Sequence, residues 1–176
     1  MQRAIFLDRD GVINRAKVHR GKPYPPANLA AMELLPGVPI ALQALKTDGW
    51  MLIVVTNQPD VARGTISRNV VDEINTHLKD NLPIDEFRTC YHDSADGCEC
   101  RKPLPGLLLA AACEHNIDLK RSFMVGDRWR DVEAGQQAGC KTVFIDYGYA
   151  EKQPGSFDYK VQSLQEAAII IMGEKK

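Results

Sequence analysis

An α/β fold, with helices on both faces of a doubly wound parallel sheet, is what this chain of 176 residues predicts. Two observations carry the prediction. Short apolar runs alternate with amphipathic stretches of helical period, and strand and helix in alternation imply crossovers into a parallel sheet covered on both sides. The residues with chemistry to offer fall directly after the apolar runs, at the C-terminal edge where open α/β sheets bind ligands.

The strands are expected at 4–8, 51–56, 87–91, 122–125 and 142–146. Helices are expected at about 37–48, 67–80, 105–115 and 129–138, with a last one at 163–172. A hydrophobic content of 44% suffices for one domain, 1–176, with a full core. No internal repeat or low-complexity linker interrupts it. The stretch 14–35, with Pro23, Pro25 and Pro26, is the one long irregular segment, and its place beside the first strand marks it as a flap facing a site.

A net charge of −1 offers no electrostatic case for nucleic acid, and no basic stripe is present. The longest apolar stretches, 51–55 and 106–113, are too short for a membrane span, and the N-terminus lacks a signal-peptide pattern. A cytoplasmic monomer acting on a small phosphorylated metabolite, with no nucleic acid or membrane partner, is the expectation. Five cysteines fit a reducing compartment better than a disulfide framework, and their clustering points to metal. Cys113 and Cys140, outside the cluster, are expected as small core residues. His19, His77 and His115 are expected to be solvated or at the core edge, Trp129 to anchor a helix start, and Lys175-Lys176 to fray.

Four segments carry the chemistry. In Leu7-Asp8-Arg9-Asp10-Gly11, two carboxylates, Asp8 and Asp10, end the first strand and face one small volume; like charges so close divide the labour into a metal-bound nucleophile and a proton-carrying acid/base. Alone, such a segment reads as a turn after a core strand. Thr56-Asn57-Gln58 follows the second strand with a hydroxyl and two amides, suited to a phosphate oxygen and to orienting a neighbouring acid. Lys102, in Arg101-Lys102-Pro103, suits a bridge between the nucleophile and a phosphate. Asp127, in Gly126-Asp127-Arg128, completes a hard oxygen site for Mg²⁺ with Asp8 and the carbonyl of Asp10. Separately, Cys90, His92, Cys98 and Cys100 supply three sulfurs and one imidazole, a closed tetrahedral set for structural Zn²⁺ within a loop, 90–100, that ends at Arg101 and Lys102.

With these segments in order, the chain resembles the haloacid dehalogenase superfamily of phosphohydrolases over 4–145. The resemblance implies a Rossmann-like core without a large cap, an aspartyl-phosphate formed on Asp8, and Asp10 protonating the leaving alcohol and then activating water. It places Thr56 and Lys102 on the phosphoryl group, with Asn57, Gln58, Arg101 and Arg128 in substrate binding. Asp8, the Asp10 carbonyl and Asp127 hold Mg²⁺, and Asp131 stands behind them.

The cysteine loop is similar to that of the small capless branch holding the D-glycero-D-manno-heptose 1,7-bisphosphate 7-phosphatases and the histidinol-phosphatases. Thr56-Asn57-Gln58 with Val61-Ala62-Arg63-Gly64 resembles the former, and the short loop from His92 to Cys98 the latter. A heptose bisphosphate is favoured, because Arg63, Arg101 and Arg128 offer more cationic contacts than a monophosphate with an amine tail needs. Histidinol phosphate is the alternative, with Asp93 and Asp96 available to its amine. A phosphate-binding module without turnover and a phosphotransferase are the remaining readings.

Overall fold

The computed structural model describes residues 1–174; Lys175 and Lys176, expected to fray, lie outside the described residues. The elements run β1 (Ala4–Leu7), β2 (Lys17–His19), β3 (Lys22–Tyr24), α1 (Val38–Thr47), β4 (Met51–Asn57), α2 (Arg68–Asn81), β5 (Glu86–Cys90), α3 (Gly106–His115), β6 (Phe123–Gly126), α4 (Trp129–Ala138), β7 (Lys141–Ile145), β8 (Tyr159–Val161) and α5 (Leu164–Gly173). Six strands form one sheet in the order β5-β4-β1-β6-β7-β8, and every pairing in it is parallel.

Alternation along β1 divides the core in two. Ile5 and Leu7 join the cluster built with α1, α2 and α5, whereas Ala4 and Phe6 join the one built with α3 and α4. The central strands are buried on both faces, as a parallel sheet requires. Helix starts follow local chemistry: Ser67 Oγ accepts from the Val70 amide and Ser163 Oγ from the Glu166 amide. No helix of the described residues is long and apolar enough to cross a membrane.

Three expectations are corrected. The segment 14–35 is not wholly irregular: β2 and β3 pair antiparallel as a hairpin, and a 3-10 turn follows at Leu29–Ala31. These strands are three residues each and largely exposed, so they carry no apolar alternation to read. The sheet has a sixth strand, β8, again only three residues long. Cys113 is exposed on α3 and not in the core, while Cys140 is buried as expected.

Candidate active site

The C-terminal ends of β1, β4 and β6 converge on one volume. Asp8 leaves β1 with its amide bonded to the Val125 carbonyl at 3.0 Å, which carries the first carboxylate to the edge of the sheet beside β6. Asp127 follows β6, and Asp131 comes from the first turn of α4. Carboxylate oxygens of Asp8, Asp127 and Asp131 all lie within 4.8 Å of one another, and all three residues are buried.

Two glycines permit this crowding. A Cβ on Gly11, whose φ is +95°, would stand 1.9 Å from Asp127 Oδ2, and one on Gly126 would stand 2.1 Å from Asp131 Cβ. Only glycine lets the β1 turn and the start of α4 close on the acids. Asp131 serves twice, with Oδ2 accepting from the Arg128 amide at 3.0 Å as a helix cap and Oδ1 2.6 Å from the Lys102 ammonium.

Lys102 is 1% exposed. Its Nζ donates to Asp8 Oδ1 at 2.8 Å and to the Val55 carbonyl at 2.7 Å. Burial works against the ammonium, but Asp131 and Asp8 outweigh it and hold its pKa above the ordinary lysine value. One ammonium does not neutralise three carboxylates. Burial, followed by the charges of Asp131 and Asp10, therefore lifts Asp8 to about 6 against the opposing pull of Lys102. Asp127 is pushed well above its ordinary value by burial and by Asp8 and Asp131. Asp127 Oδ1 is buried with no hydrogen-bond partner among the described residues. A surplus of buried carboxylate and an orphaned oxygen fit a hard divalent cation such as Mg²⁺.

Asp10 faces donors instead of other acids. Gln58 Nε2 donates to its Oδ2 at 2.8 Å, Asn14 Nδ2 to its Oδ1 at 2.9 Å, and Arg9 Nη2 lies 3.1 Å from Oδ2. Gln58 Nε2 also donates to Thr56 Oγ1 at 2.9 Å, so the two amides at the end of β4 have separate tasks. Asn57 grips the Lys102 backbone, and Gln58 joins Thr56 to Asp10. Arg9 is fully buried, and strand alternation turns it to the α2 side, where Nη1 donates to Asn75 Oδ1 at 2.9 Å.

A cavity of about 340 Å³ opens above these groups, with Asp8, Asp10, Lys102 and Asp131 in its wall. The hairpin contributes Lys22 and Tyr24, placing the 14–35 segment beside the site as its length suggested. Of the predicted cations, Arg63 and Arg128 line the cavity but each grips a carboxylate. Arg63 donates to both oxygens of Asp93 at 2.7 Å, which brings Asp93 down to about 2, and Arg128 Nε donates to Glu151 Oε1 at 2.9 Å. Arg101 is tied more loosely, with Nη1 on the His92 carbonyl at 3.2 Å and Asp93 3.8 Å away. Lys22 and Arg130 line the same cavity and form no ion pair among the described residues.

A short strap crosses the opposite side of the acid cluster. Tyr147 donates to the Gly11 carbonyl at 3.0 Å, Tyr149 to Asp127 Oδ2 at 2.9 Å, and the Ala150 amide to the Gly21 carbonyl of the hairpin at 2.8 Å. Arg9, Asn14, Tyr149 and Glu151 join the site without having been predicted, and Asp131, expected behind Asp8 and Asp127, has a carboxylate oxygen within 4.8 Å of theirs. Arg9 had a signal, since a charge between two strand-edge acids must point to the other face and find a partner there. The strap residues had none.

Outside the cavity, Cys90, His92, Cys98 and Cys100 gather as the spacing suggested. Cys90 Sγ lies 3.7 Å from Cys98 Sγ and 3.0 Å from Cys100 Sγ, Cys98 and Cys100 are 3.5 Å apart, and His92 Nδ1 is 3.3 Å from Cys100 Sγ. A tetrahedral zinc with Zn–S bonds of about 2.3 Å has S–S edges of about 3.8 Å, which the Cys90–Cys98 and Cys98–Cys100 separations approach while Cys90 and Cys100 stand closer, and none of the cysteines is in a disulfide.

Comparison with known proteins places the chain among relatives. The HAD-hydrolase-like family model matches residues 99–167. A D-glycero-beta-D-manno-heptose-1,7-bisphosphate 7-phosphatase of Pasteurella multocida is 35% identical over 99% of this chain and 100% of its own length. One from Helicobacter pylori is 37% identical over 81% of this chain and 82% of its own. Among solved structures, the D,D-heptose 1,7-bisphosphate phosphatase from B. bronchiseptica, complexed with magnesium and phosphate, superposes with a TM-score of 0.81 at 28% identity, covering 98% of this chain and 99% of that one. Sheet order, acid cluster and full-length similarity agree: the chain belongs to the haloacid dehalogenase-like hydrolases.

Proposed function

We propose that the protein is a Mg²⁺-dependent phosphomonoester hydrolase that removes the 7-phosphate of D-glycero-D-manno-heptose 1,7-bisphosphate through an aspartyl-phosphate on Asp8. The observation that carries the reading is Asp8 itself, a buried carboxylate set against Lys102 at 2.8 Å in the wall of a cavity rimmed by cations. The full-length relatives with this activity in their names support the substrate.

Asp8, the Asp10 carbonyl and Asp127 would hold the Mg²⁺, with an oxygen of Asp131 in the same cluster. A bound ion would offset charge on the phosphoryl oxygens and on the acid cluster. An Asp8 oxygen forms the bond to phosphorus as the ester P–O bond breaks, and Asp10 delivers a proton to the departing alcohol. Water then attacks phosphorus, Asp10 takes its proton, and the bond to Asp8 breaks to release inorganic phosphate. Thr56 and Lys102 hold the phosphoryl oxygens, and Gln58, bonded to both Thr56 and Asp10, keeps acid and phosphate site in register. Covalent capture divides one difficult displacement into two easier ones.

Arg101, Arg130 and Lys22 are the cations with capacity left for the phosphate that stays. The histidinol-phosphate alternative calls on acids for an amine; of the two candidates Asp93 is taken by Arg63, while Asp96 Oδ2 accepts from the Asp93 amide at 2.7 Å. Zn²⁺ in the 90–100 loop has an indirect part, fixing the chain that runs into Arg101 and Lys102.

The test is phosphate release with Mg²⁺ against the heptose bisphosphate, histidinol phosphate and simple sugar phosphates, compared by kcat/KM. The expected result is selective hydrolysis of the heptose bisphosphate; preference for histidinol phosphate overturns the substrate, and absence of turnover overturns the enzyme.

A further inference from the structure

Asp127 is held by a contact that its own neighbourhood in sequence does not supply. Its carboxylate is 1% exposed and presses against Gly11, and its two oxygens differ. Oδ2 accepts from the Tyr149 hydroxyl at 2.9 Å, while Oδ1 has no partner among the described residues. The phenol has little freedom of its own. The Tyr149 ring packs at 5.6 Å, tilted by 38°, against Tyr147, whose hydroxyl is tied to the Gly11 carbonyl, and the next two residues are anchored on Gly21 and Arg128.

We propose that Tyr149 is a positioning residue that occupies one oxygen of Asp127 and so presents the other as a single-oxygen ligand to the divalent cation. The proposal rests on the assignment of Asp127 as a Mg²⁺ ligand made above. Mg²⁺ demands a near-ideal octahedron with short bonds, so a carboxylate free to rotate or to offer both oxygens is a poorer ligand than one held still. Groups that hydrogen-bond a metal-ligating carboxylate set its orientation, and their removal weakens the metal about 10- to 100-fold. The strap thereby ties the metal acid, the β1 turn and the hairpin to one loop, so that the cation site and the cavity wall share a support.

The experiment is Mn²⁺ binding to the purified full-length chain, read from the free-ion signal in electron paramagnetic resonance with no substrate present. The wild type is expected to bind Mn²⁺ at a site that Asp127→Asn removes. Tyr149→Phe, which keeps the ring, raises the Kd about 10-fold, and in turnover raises the Mg²⁺ concentration for half-maximal rate while kcat at saturating Mg²⁺ stays within a few-fold. Tyr147→Phe loosens the strap but leaves the Asp127 contact, and is expected to hold the wild-type Kd. An unchanged Kd in Tyr149→Phe, or an equal loss in Tyr147→Phe, overturns the role of the hydroxyl. Should Tyr149→Phe fail to fold, as its circular dichroism reports, the hydroxyl is a structural tie and the proposal falls. Wild-type protein whose Mn²⁺ binding ignores Asp127 overturns the metal reading itself, an outcome distinct from the others.

Discussion

Asn57 clasps the backbone of Lys102 with both ends of its amide, Nδ2 donating to the Lys102 carbonyl at 2.9 Å and Oδ1 accepting from the Lys102 amide at 3.1 Å. The two residues are 45 positions apart, and the pair fixes the loop from which the lysine side chain reaches Asp8. Asn57 therefore acts through Lys102 before it acts on any ligand. Asn57→Ala is expected to lower kcat about 100-fold, because small displacements of a charge-bearing group are costly. Steady-state kinetics with an unchanged circular dichroism spectrum checks this, and near-native kcat refutes it.

Asp8→Asn removes the nucleophile while keeping the side chain's shape. Turnover is expected to fall by at least about 10⁴-fold, with the fold intact because Lys102 still donates to Val55 and pairs with Asp131. Rapid quench of the wild type is expected to trap a phosphorylated chain, and the variant none.

The acid cluster makes the metal-free protein sensitive to pH in a defined direction. Asp8 rises from 3.8 to about 6 and Asp127 rises as well, burial being the first cause for both. A carboxyl with a raised pKa in the folded state stabilises fully below its unfolded value, and that contribution is lost as pH climbs through the folded value. Removing one acid relieves the repulsion only where the acids are ionised. Asp127→Asn is thus expected to raise the Tm of metal-free protein by about 3–6 °C at pH 8 and to leave it nearly unchanged at pH 4. Thermal scans in a chelating buffer decide the matter, and equal shifts at both pH values refute it.

Arg9 ties the first catalytic turn to α2 through Asp10 and Asn75, and its side chain is 1% exposed. Arg9→Met fills the volume but takes the guanidinium from Asp10 and Asn75, and is expected to cost about 3 kcal/mol of stability. Denaturant unfolding measures the loss, and a change below about 1 kcal/mol shows that Asn14 and Gln58 suffice to hold Asp10.

Purified protein is expected to carry about one zinc per chain, retained when weak chelators remove Mg²⁺. Cys98→Ser is expected to release it, lower the Tm and reduce kcat/KM, since Arg101 and Lys102 begin one residue after the last cysteine. Elemental analysis that finds no zinc in either protein refutes the site.

The chain by itself determined where five of the six strands of the sheet lie along the sequence, the helices between them, and the gathering of Asp8, Asp10, Lys102 and Asp127 at one sheet edge. Periodicity and motif spacing are written over a few residues, and a parallel sheet turns them into positions without further information. The cysteine cluster was legible for the same reason. Only the tertiary structure decided which partner each polar group takes. Arg63 and Arg128 read as free cations, yet Asp93 and Glu151, 30 and 23 residues away, occupy them. Asn57 turned out to hold Lys102, Asp131 to enter the acid cluster, and Tyr149 to secure Asp127. Those pairings depend on how strand order and loop paths bring distant segments together, and a buried polar atom accepts whichever partner the fold delivers.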